Sequence, residues 1–168
     1  LFWAAMRLGL VYVPLDPQLP GGALSGILAR LAPRLVFLGT TTACPPEVDQ
    51  AQAVHFDAPD GTARSGRSFA DWLETMPDPG PATPALIEET AVAPDDPAVI
   101  LFTSGTAGPP KGVVLSHAAL HRSGALMAET YRWRADDLLF SPGDFHTMSG
   151  LRNPLVASLH AGAGLLLA

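Results

Sequence analysis

The chain carries little positive charge and almost no cysteine. Its 168 residues include one lysine, Lys111, and one cysteine, Cys44, and the formal net charge is −6. Because no basic run is present, the sequence lacks the electrostatic footprint of a nucleic-acid-binding protein, and we expect no nucleic-acid partner. A single cysteine cannot form an intrachain disulfide, which is typical of a reducing compartment. These absences together predict a cytoplasmic protein.

Long apolar runs are also missing. No stretch reaches the roughly 20 apolar residues that a membrane-spanning helix needs, and the chain does not start with a signal-peptide pattern. Hydrophobic residues nevertheless make up 48% of the sequence and charged residues only 15%. This balance is typical of a globular protein with a well-filled interior, and the length suffices for one domain.

Helical and strand patterns alternate along the chain. Apolar residues at i, i+3, i+4 and i+7 predict one amphipathic helix, and they are Leu24, Ile27, Leu28 and Leu31. Pro33 would end this helix, and residues 35–38 would form the next buried strand. Such close alternation favours an α/β fold with a mostly parallel sheet flanked by helices.

Residues 57–97 interrupt this alternation. Four prolines cluster there, Pro77, Pro79, Pro81 and Pro84, and such spacing excludes a regular helix or a central strand. We interpret the segment as an irregular, proline-rich connector that crosses the surface of a single domain covering residues 1–168. A domain boundary within it is the alternative.

The lone lysine lies in a segment with the chemistry of a phosphate-binding loop. An apolar run at 97–102 predicts a buried strand, a second run starts at Val113, and the rigid Pro109-Pro110 pair precedes the cation. Hydroxyls, exposed backbone N–H groups and glycines between the two runs suit a polyphosphate. The candidate ligands are Thr103, Ser104, Gly105, Thr106, Ala107, Gly108 and Lys111. A plain flexible linker is the alternative, but a linker has no reason to lie between two apolar strands.

The segment is not a Walker A loop, because Gly112 follows the lysine where that motif has serine or threonine. Residues 102–113 instead resemble the signature of the adenylate-forming superfamily, which includes acyl-CoA synthetases, nonribosomal peptide synthetase adenylation domains and luciferases. Ala107 replaces the usual threonine, so we expect weaker phosphate binding. The resemblance implies that Thr106 contacts the Mg²⁺ that accompanies ATP. Residues 3–17 also resemble an early segment of this family.

Residues 139–168 resemble the region in which the family's acyl pocket begins. The resemblance implies Phe145, His146 and Gly150 as pocket residues, with His146 sensing the substrate carboxylate. A histidine whose ring is satisfied by the local backbone is an equal alternative. Arg152 departs from the apolar residues usual nearby, and we expect it to reach solvent rather than an anionic substrate.

Two histidines share a predicted helix that Ser116 would cap and that would extend to about Tyr131. His117 and His121 are spaced i, i+4 and could face one metal ion. A zinc protease would need glutamate where Ala118 stands, so we do not expect a metal there. We expect His117 to support the preceding loop and His121 to be a surface or packing residue.

The resemblance implies an ATP-dependent acid–thiol ligase. A small carboxylic acid would attack the α-phosphate of ATP, and the thiol of CoA or of a carrier-bound phosphopantetheine would then take the acyl group. ATP, Mg²⁺ and CoA are the implied cofactors. We expect part of an acyl-CoA synthetase, an enzyme type of fatty acid metabolism. The alternatives are a peptide synthetase adenylation domain, with a carrier protein as partner, and a non-catalytic nucleotide-binding remnant.

The chain starts at Leu1 inside a helical pattern and stops at Ala168 inside an apolar run. Members of the family it resembles are several times longer. We therefore expect an incomplete portion of their large N-terminal domain, lacking the small C-terminal domain with the main catalytic lysine and inactive alone. Since most pocket residues of that family lie further along, neither the acyl substrate nor the oligomeric state is predicted.

Overall fold

A computed structural model describes residues 1–39, 42–56, 67–76, 91–103, 110–141 and 144–167. The chain divides into two compact units. The smaller unit is Pro17–Pro81, and the larger one joins Leu1–Asp16 to Ala82–Ala168.

Helices and strands alternate along the described residues, as the sequence pattern predicts. The first half of the chain holds α1 (Phe2–Arg7), α2 (Gly21–Leu31), β1 (Val36–Leu38), β2 (Ala53–His55), β3 (Arg67–Ser68) and α3 (Phe69–Glu74). The second half holds β4 (Pro97–Thr103), β5 (Lys111–Ser116), α4 (His117–Tyr131), β6 (Leu138–Ser141), α5 (Met148–Gly150), a π-helical segment (Leu151–Val156), α6 (Ala157–Ala161) and β7 (Gly164–Leu167).

The smaller unit is a parallel sheet in the order β1-β2-β3 with an apolar core. Helix α2 contributes Leu28 to that core, where it joins Leu38, Val48 and Ala53. The helix ends at Ala32, whose left-handed backbone (φ 43°) directly precedes Pro33. The predicted helix, its end and the strand that follows are therefore confirmed, but only Leu38 of that strand is buried.

Aromatic rings form a second cluster in the smaller unit. Trp72 of α3 contacts Phe37 of β1 edge-on, with ring centroids 5.5 Å apart, and also contacts Phe69. The sequence predicts a short helix over residues 69–76 with Trp72 and Leu73 directed inward, and the inward position of Trp72 is confirmed. The same expectation for Leu73 is wrong, because half of that side chain is exposed. A helix of six residues presents only one narrow face, and Phe69 and Trp72 occupy it.

An antiparallel hairpin of β4 and β5 organises the larger unit. Ala98, Val99 and Leu101 of β4 are buried in its core. On the other side of β4, Tyr12 forms a parallel bridge with Val99, and its N–H donates to the carbonyl of Ala98 at 2.9 Å. The apolar residues 11–14 predict a short strand, and the structure reduces it to this single bridge.

Helix α4 starts and ends where the sequence predicts. The Ser116 hydroxyl accepts a hydrogen bond from the N–H of Ala119 at 3.2 Å, which is a standard N-cap. Its buried face contains Gly124, where an added Cβ would lie 2.6 Å from Cγ1 of Val156. A glycine on this face predicts a close approach of the helix to the sheet. The structure shows that Gly124 instead permits a close approach to the π-helical segment.

The remaining elements form a parallel β6–β7 pair joined by a three-part helix. The sequence predicts a helix from Gly150 to Leu159, and the observed pieces extend it at both ends. Pro154 lies inside the π-helical segment. Because proline lacks an N–H, the regular hydrogen-bond ladder breaks there, and a wider turn accommodates the break.

The described elements combine helices with sheets that contain parallel strands, and this combination agrees with the predicted α/β class. None of the described helices combines the length and the apolar character that crossing a bilayer requires.

Candidate functional site

The open end of the β4–β5 hairpin brings Thr103 and Lys111 together. These residues are register partners, and the Thr103 hydroxyl donates to the Lys111 carbonyl at 3.4 Å. The chain thus leaves and re-enters the hairpin at adjacent points, as a short phosphate-binding loop requires. The predicted ligands between them, Ser104, Gly105, Thr106, Ala107 and Gly108, lie outside the described residues.

Buried neighbours fix the position of this hairpin end. Ala98 and Val99 of β4 have no exposed surface, and the strand is bonded to β5 on one side and to Tyr12 on the other. A strand held on both edges cannot shift without breaking several backbone hydrogen bonds. Lys111 is therefore presented from a rigid base.

A glycine next to the lysine allows this packing. At Gly112 an added Cβ would lie 3.0 Å from Ile100 Cγ2 and 3.3 Å from the Phe102 ring. Both contacts are tighter than ordinary van der Waals spacing, so a side chain at Gly112 would force the Ile100 and Phe102 side chains to shift. The Lys-Gly pair of the sequence motif thus has a structural reason.

The Lys111 side chain is exposed, and its ammonium forms no ion pair with any residue in the described ranges. A cation without an internal partner remains available to an external anion. The geometry therefore suits the binding of a phosphate chain at the hairpin end.

The start of helix α4 does not contribute to such a site. The N–H of His117 donates to the Asp96 carbonyl at 3.1 Å, and the N–H of Ala118 donates to the Pro94 carbonyl at 2.8 Å. Ser116 accepts from the next free N–H group. Because these donors are already satisfied, the helix N-terminus is not a second anion site.

The structure places His146 beside an acidic residue that the sequence analysis did not single out. Its Nε2 lies 3.8 Å from Oδ2 of Asp16, and the two side chains are 26% and 38% exposed. Attraction between these groups operates when the imidazole is protonated. Asp16 lies in the stretch 3–17 that resembles the family. That resemblance is the only feature of the sequence that could have indicated a role for Asp16.

A cavity of about 490 Å³ lies near the other predicted pocket residue. Its lining includes Gly150, Ser141, Thr147 and Asn153, but neither Phe145 nor His146. Phe145 and His146 are half-buried in the preceding turn. The structure therefore brings Gly150 to a cavity wall without bringing the three predicted pocket residues onto one surface.

Arg152 reaches a neighbour rather than extending freely into solvent. It is half-buried, and its Nε–H donates to Oδ1 of Asn153 at 2.8 Å. Since Asn153 lines the cavity, Arg152 restrains the orientation of a wall residue. The expectation that Arg152 simply reaches solvent is not met.

The single cysteine has no reactive setting. Burial raises the pKa of the Cys44 thiol, and its Sγ–H points to the carbonyls of Pro45 and Val48 at 3.6 and 3.8 Å. A raised pKa lowers the thiolate fraction, so Cys44 is unsuited to nucleophilic chemistry.

Comparison with known proteins gives the family. A model described as "AMP-binding enzyme" matches residues 1–168. The chain belongs to this family. The expected resemblance to adenylate-forming enzymes is thereby confirmed.

Two curated relatives of this AMP-binding chain illustrate the range of the family. It is 30% identical over 170 residues to an indoleacetate–CoA ligase of Aromatoleum aromaticum, covering 98% of the chain and 32% of the ligase. It is 32% identical over 168 residues to the hybrid PKS-NRPS synthetase pydA of an Acremonium species, covering 98% of the chain and 4% of the synthetase. The chain thus spans a third or less of the length of these relatives.

A solved malonyl-CoA ligase, in a product complex with methylmalonyl-CoA and AMP, shares the fold with a TM-score of 0.69 and 27% identity. The match covers 98% of the AMP-binding chain and 31% of the ligase. The fold is therefore that of an incomplete portion of the N-terminal domain of an adenylate-forming enzyme, as predicted.

Proposed function

We propose that this AMP-binding chain supplies the ATP-phosphate site of a ligase that activates a carboxylic acid as an acyl-adenylate and transfers the acyl group to a thiol. The observation that supports this proposal is the register pairing of Thr103 with Lys111. It holds the two ends of the hydroxyl- and glycine-rich segment together, and no residue in the described ranges forms an ion pair with the lysine ammonium.

The chemistry of the first step explains why a cation belongs at this position. A carboxylate oxygen of the acid forms a bond to the α-phosphorus of ATP, and the bond from that phosphorus to the bridging oxygen breaks. The electron pair leaves with pyrophosphate. Negative charge therefore grows on the departing phosphates, and Lys111 would neutralise part of it.

The magnitude of this contribution is bounded by simple electrostatics. A cation about 4 Å from a phosphate charge contributes roughly 4 kcal/mol at an effective dielectric constant near 20. Because Lys111 is exposed, water screens the interaction and the effective contribution is smaller. The N–H groups and hydroxyls of residues 103–108 would share the remaining charge.

Magnesium bound to the ATP phosphates would supply further neutralisation. Hydroxyl oxygens suit this hard cation, and the set formed by Thr103, Ser104 and Thr106 has that chemistry. The exposed Thr103 hydroxyl at the hairpin end fits such a donor set. We assign the direct contact to Thr106, and Thr103 would hold the loop beside it.

The second step requires a thiol, and two acceptors compete. The relative named as a CoA ligase favours CoA, which is the leading proposal. The relative named as a hybrid synthetase favours a phosphopantetheine carried by a protein, so a peptide synthetase adenylation domain is the second candidate. In both cases the first substrate would be a small carboxylic acid, and Phe145, His146 and Gly150 would contribute to its site.

Two assays on the complete polypeptide test this proposal. Acid-dependent exchange of radiolabelled pyrophosphate into ATP, measured with a panel of carboxylic acids, should reveal adenylation. Thioester formation with CoA and with a loaded carrier protein should then identify the acceptor. A complete polypeptide that binds ATP but shows no exchange with any acid would leave only a nucleotide-binding role.

The 168-residue chain alone should not catalyse acyl-adenylate formation. Its relatives are at least three times longer, as the 32% coverage of the CoA ligase shows. We expect no ATP-dependent hydroxamate formation above background. Clear hydroxamate formation by the 168-residue chain would contradict the proposal that this chain is inactive alone.

A further inference from the structure

Two histidines that are distant in sequence meet on the surface of the larger unit. The rings of His121 on α4 and His160 on α6 have centroids 5.3 Å apart and planes at 75°. Both residues are exposed. Their approach follows from the Gly124–Val156 contact, since each histidine lies about one turn from that contact on its own helix.

This separation is compatible with two imidazoles that bind one metal ion. Imidazole nitrogen binds zinc at about 2.0–2.1 Å with tetrahedral angles, and the ring centre lies about 1.1 Å behind the nitrogen. Two imidazoles on one tetrahedral ion therefore have centroids about 5.2 Å apart. The observed 5.3 Å matches this distance.

We propose that His121 and His160 form a two-histidine site for a divalent transition-metal ion. Imidazole ligands select Zn²⁺, Cu²⁺ or Ni²⁺ and not Mg²⁺, so this site differs from any that would serve ATP. Within the described part of the chain no group of three or more histidine, cysteine or acidic side chains is suitably placed. Water would therefore complete the coordination.

A rival pair shares one of these histidines. His117 lies one turn before His121 on α4, at the i, i+4 spacing that places two side chains on one helix face. Its Nε2 is buried and has no hydrogen-bond partner among the described residues. A buried nitrogen is a poor ligand for an ion that enters from solvent, whereas the His160 ring is exposed. The structure therefore favours the pair of His121 and His160, which lie on two different helices, over the pair of His117 and His121.

A bound ion would connect α4 to α6. Because both ligands come from elements that pack only in the folded state, the ion would bind the native protein in preference to the unfolded chain. Zn²⁺ should therefore raise the thermal midpoint of the complete polypeptide.

The test is a calorimetric titration of Zn²⁺ into the tag-free complete polypeptide. His121→Ala and His160→Ala should each weaken the zinc affinity by about a hundredfold, since the second ligand of a chelate binds intramolecularly. The double variant should bind zinc more weakly than either single variant, because neither imidazole of the pair remains. His117→Asn is the matched control and should bind zinc as the unaltered protein does.

Electron spin resonance of bound Cu²⁺ gives a readout that does not depend on activity. The unaltered protein should show coupling to two imidazole nitrogens, and each alanine variant should show coupling to one. Retention of unaltered zinc affinity by His160→Ala would overturn the proposal, as would loss of the site in His117→Asn. Both positions are exposed, so alanine should leave the packing intact, and circular dichroism of each variant checks its fold.

Discussion

Removing the Lys111 ammonium is the most informative single perturbation of the proposed site. Lys111→Ala deletes the exposed cation at the hairpin end and leaves β4 and its buried contacts unchanged. The upper bound of roughly 4 kcal/mol applies to a pair at an effective dielectric constant of 20. Solvent exposure reduces this value, and we expect a loss of about 1.4–2.7 kcal/mol of transition-state stabilisation.

That loss corresponds to a ten- to hundredfold slower reaction, since about 1.4 kcal/mol changes a rate tenfold. The assay is ATP–pyrophosphate exchange catalysed by the complete polypeptide at saturating acid. The pyrophosphate concentration should be varied, because a cation that contacts the leaving group should affect the apparent affinity for pyrophosphate as well as the exchange rate.

Two control variants make this result specific. Lys111→Arg keeps the charge and should retain more activity than alanine. Arg122→Ala removes an exposed cation from helix α4 of the same unit and should leave exchange unchanged. Equal exchange by Lys111→Ala and the unaltered protein would refute the reasoning, and an equal loss in Arg122→Ala would show that only the net charge matters.

Three further predictions concern the phosphate-binding motif, the His146 pair and the packing of helix α4. Ala107→Thr restores a hydroxyl that is usual in the family. It should lower the Kd for ATP about fivefold, which is the effect of one hydrogen bond to a charged group partly offset by solvent. A titration that shows no tighter ATP binding would count against a phosphate contact at residue 107. Asp16→Asn removes the carboxylate whose Oδ2 lies 3.8 Å from Nε2 of His146. Because an exposed pair contributes at most about 1 kcal/mol, the KM for the acid should rise about two- to fivefold at unchanged kcat. If Asp16→Asn left the KM unchanged while His146→Ala raised it, Asp16 would have no positioning role. Gly124→Ala would place a Cβ 2.6 Å from Val156 Cγ1 and should cost about 1–3 kcal/mol of folding free energy, visible as a lower thermal midpoint. Its control is Gly26→Ala on helix α2, where an added Cβ meets nothing within 4 Å and stability should rise by up to about 1 kcal/mol.

Local signals predicted individual helices, strands and caps in both units well. The apolar run at 97–102, the Ser116 cap and the spacing of Leu24 to Leu31 each correspond to an observed strand, cap or helix. These features depend on residues within one or two turns of each other, so periodicity and capping chemistry determine them. The motif then gave the family.

Contacts between distant segments were not predictable in the same way. His121 and His160 meet only because Gly124 and Val156 allow two helices to approach closely, and Asp16 meets His146 across most of the chain. Neither pairing leaves a period or a spacing in the sequence. Both depend on tertiary packing, which a single sequence does not encode locally.

The errors have similar causes. Pro154 was expected in the first turns of an ordinary helix, but the surrounding segment is π-helical. Leu73 was expected to be inward, but aromatic rings already fill that side of α3. In both cases the tertiary surroundings decided between local alternatives.

A crystal structure of the complete polypeptide with ATP and an unreactive acid analogue tests the central claim most directly. The account predicts the β- and γ-phosphates within hydrogen-bonding distance of residues 103–108, with the Lys111 ammonium in contact with a phosphate oxygen. Phosphates bound away from the β4–β5 hairpin, with Lys111 still directed to solvent, would contradict it.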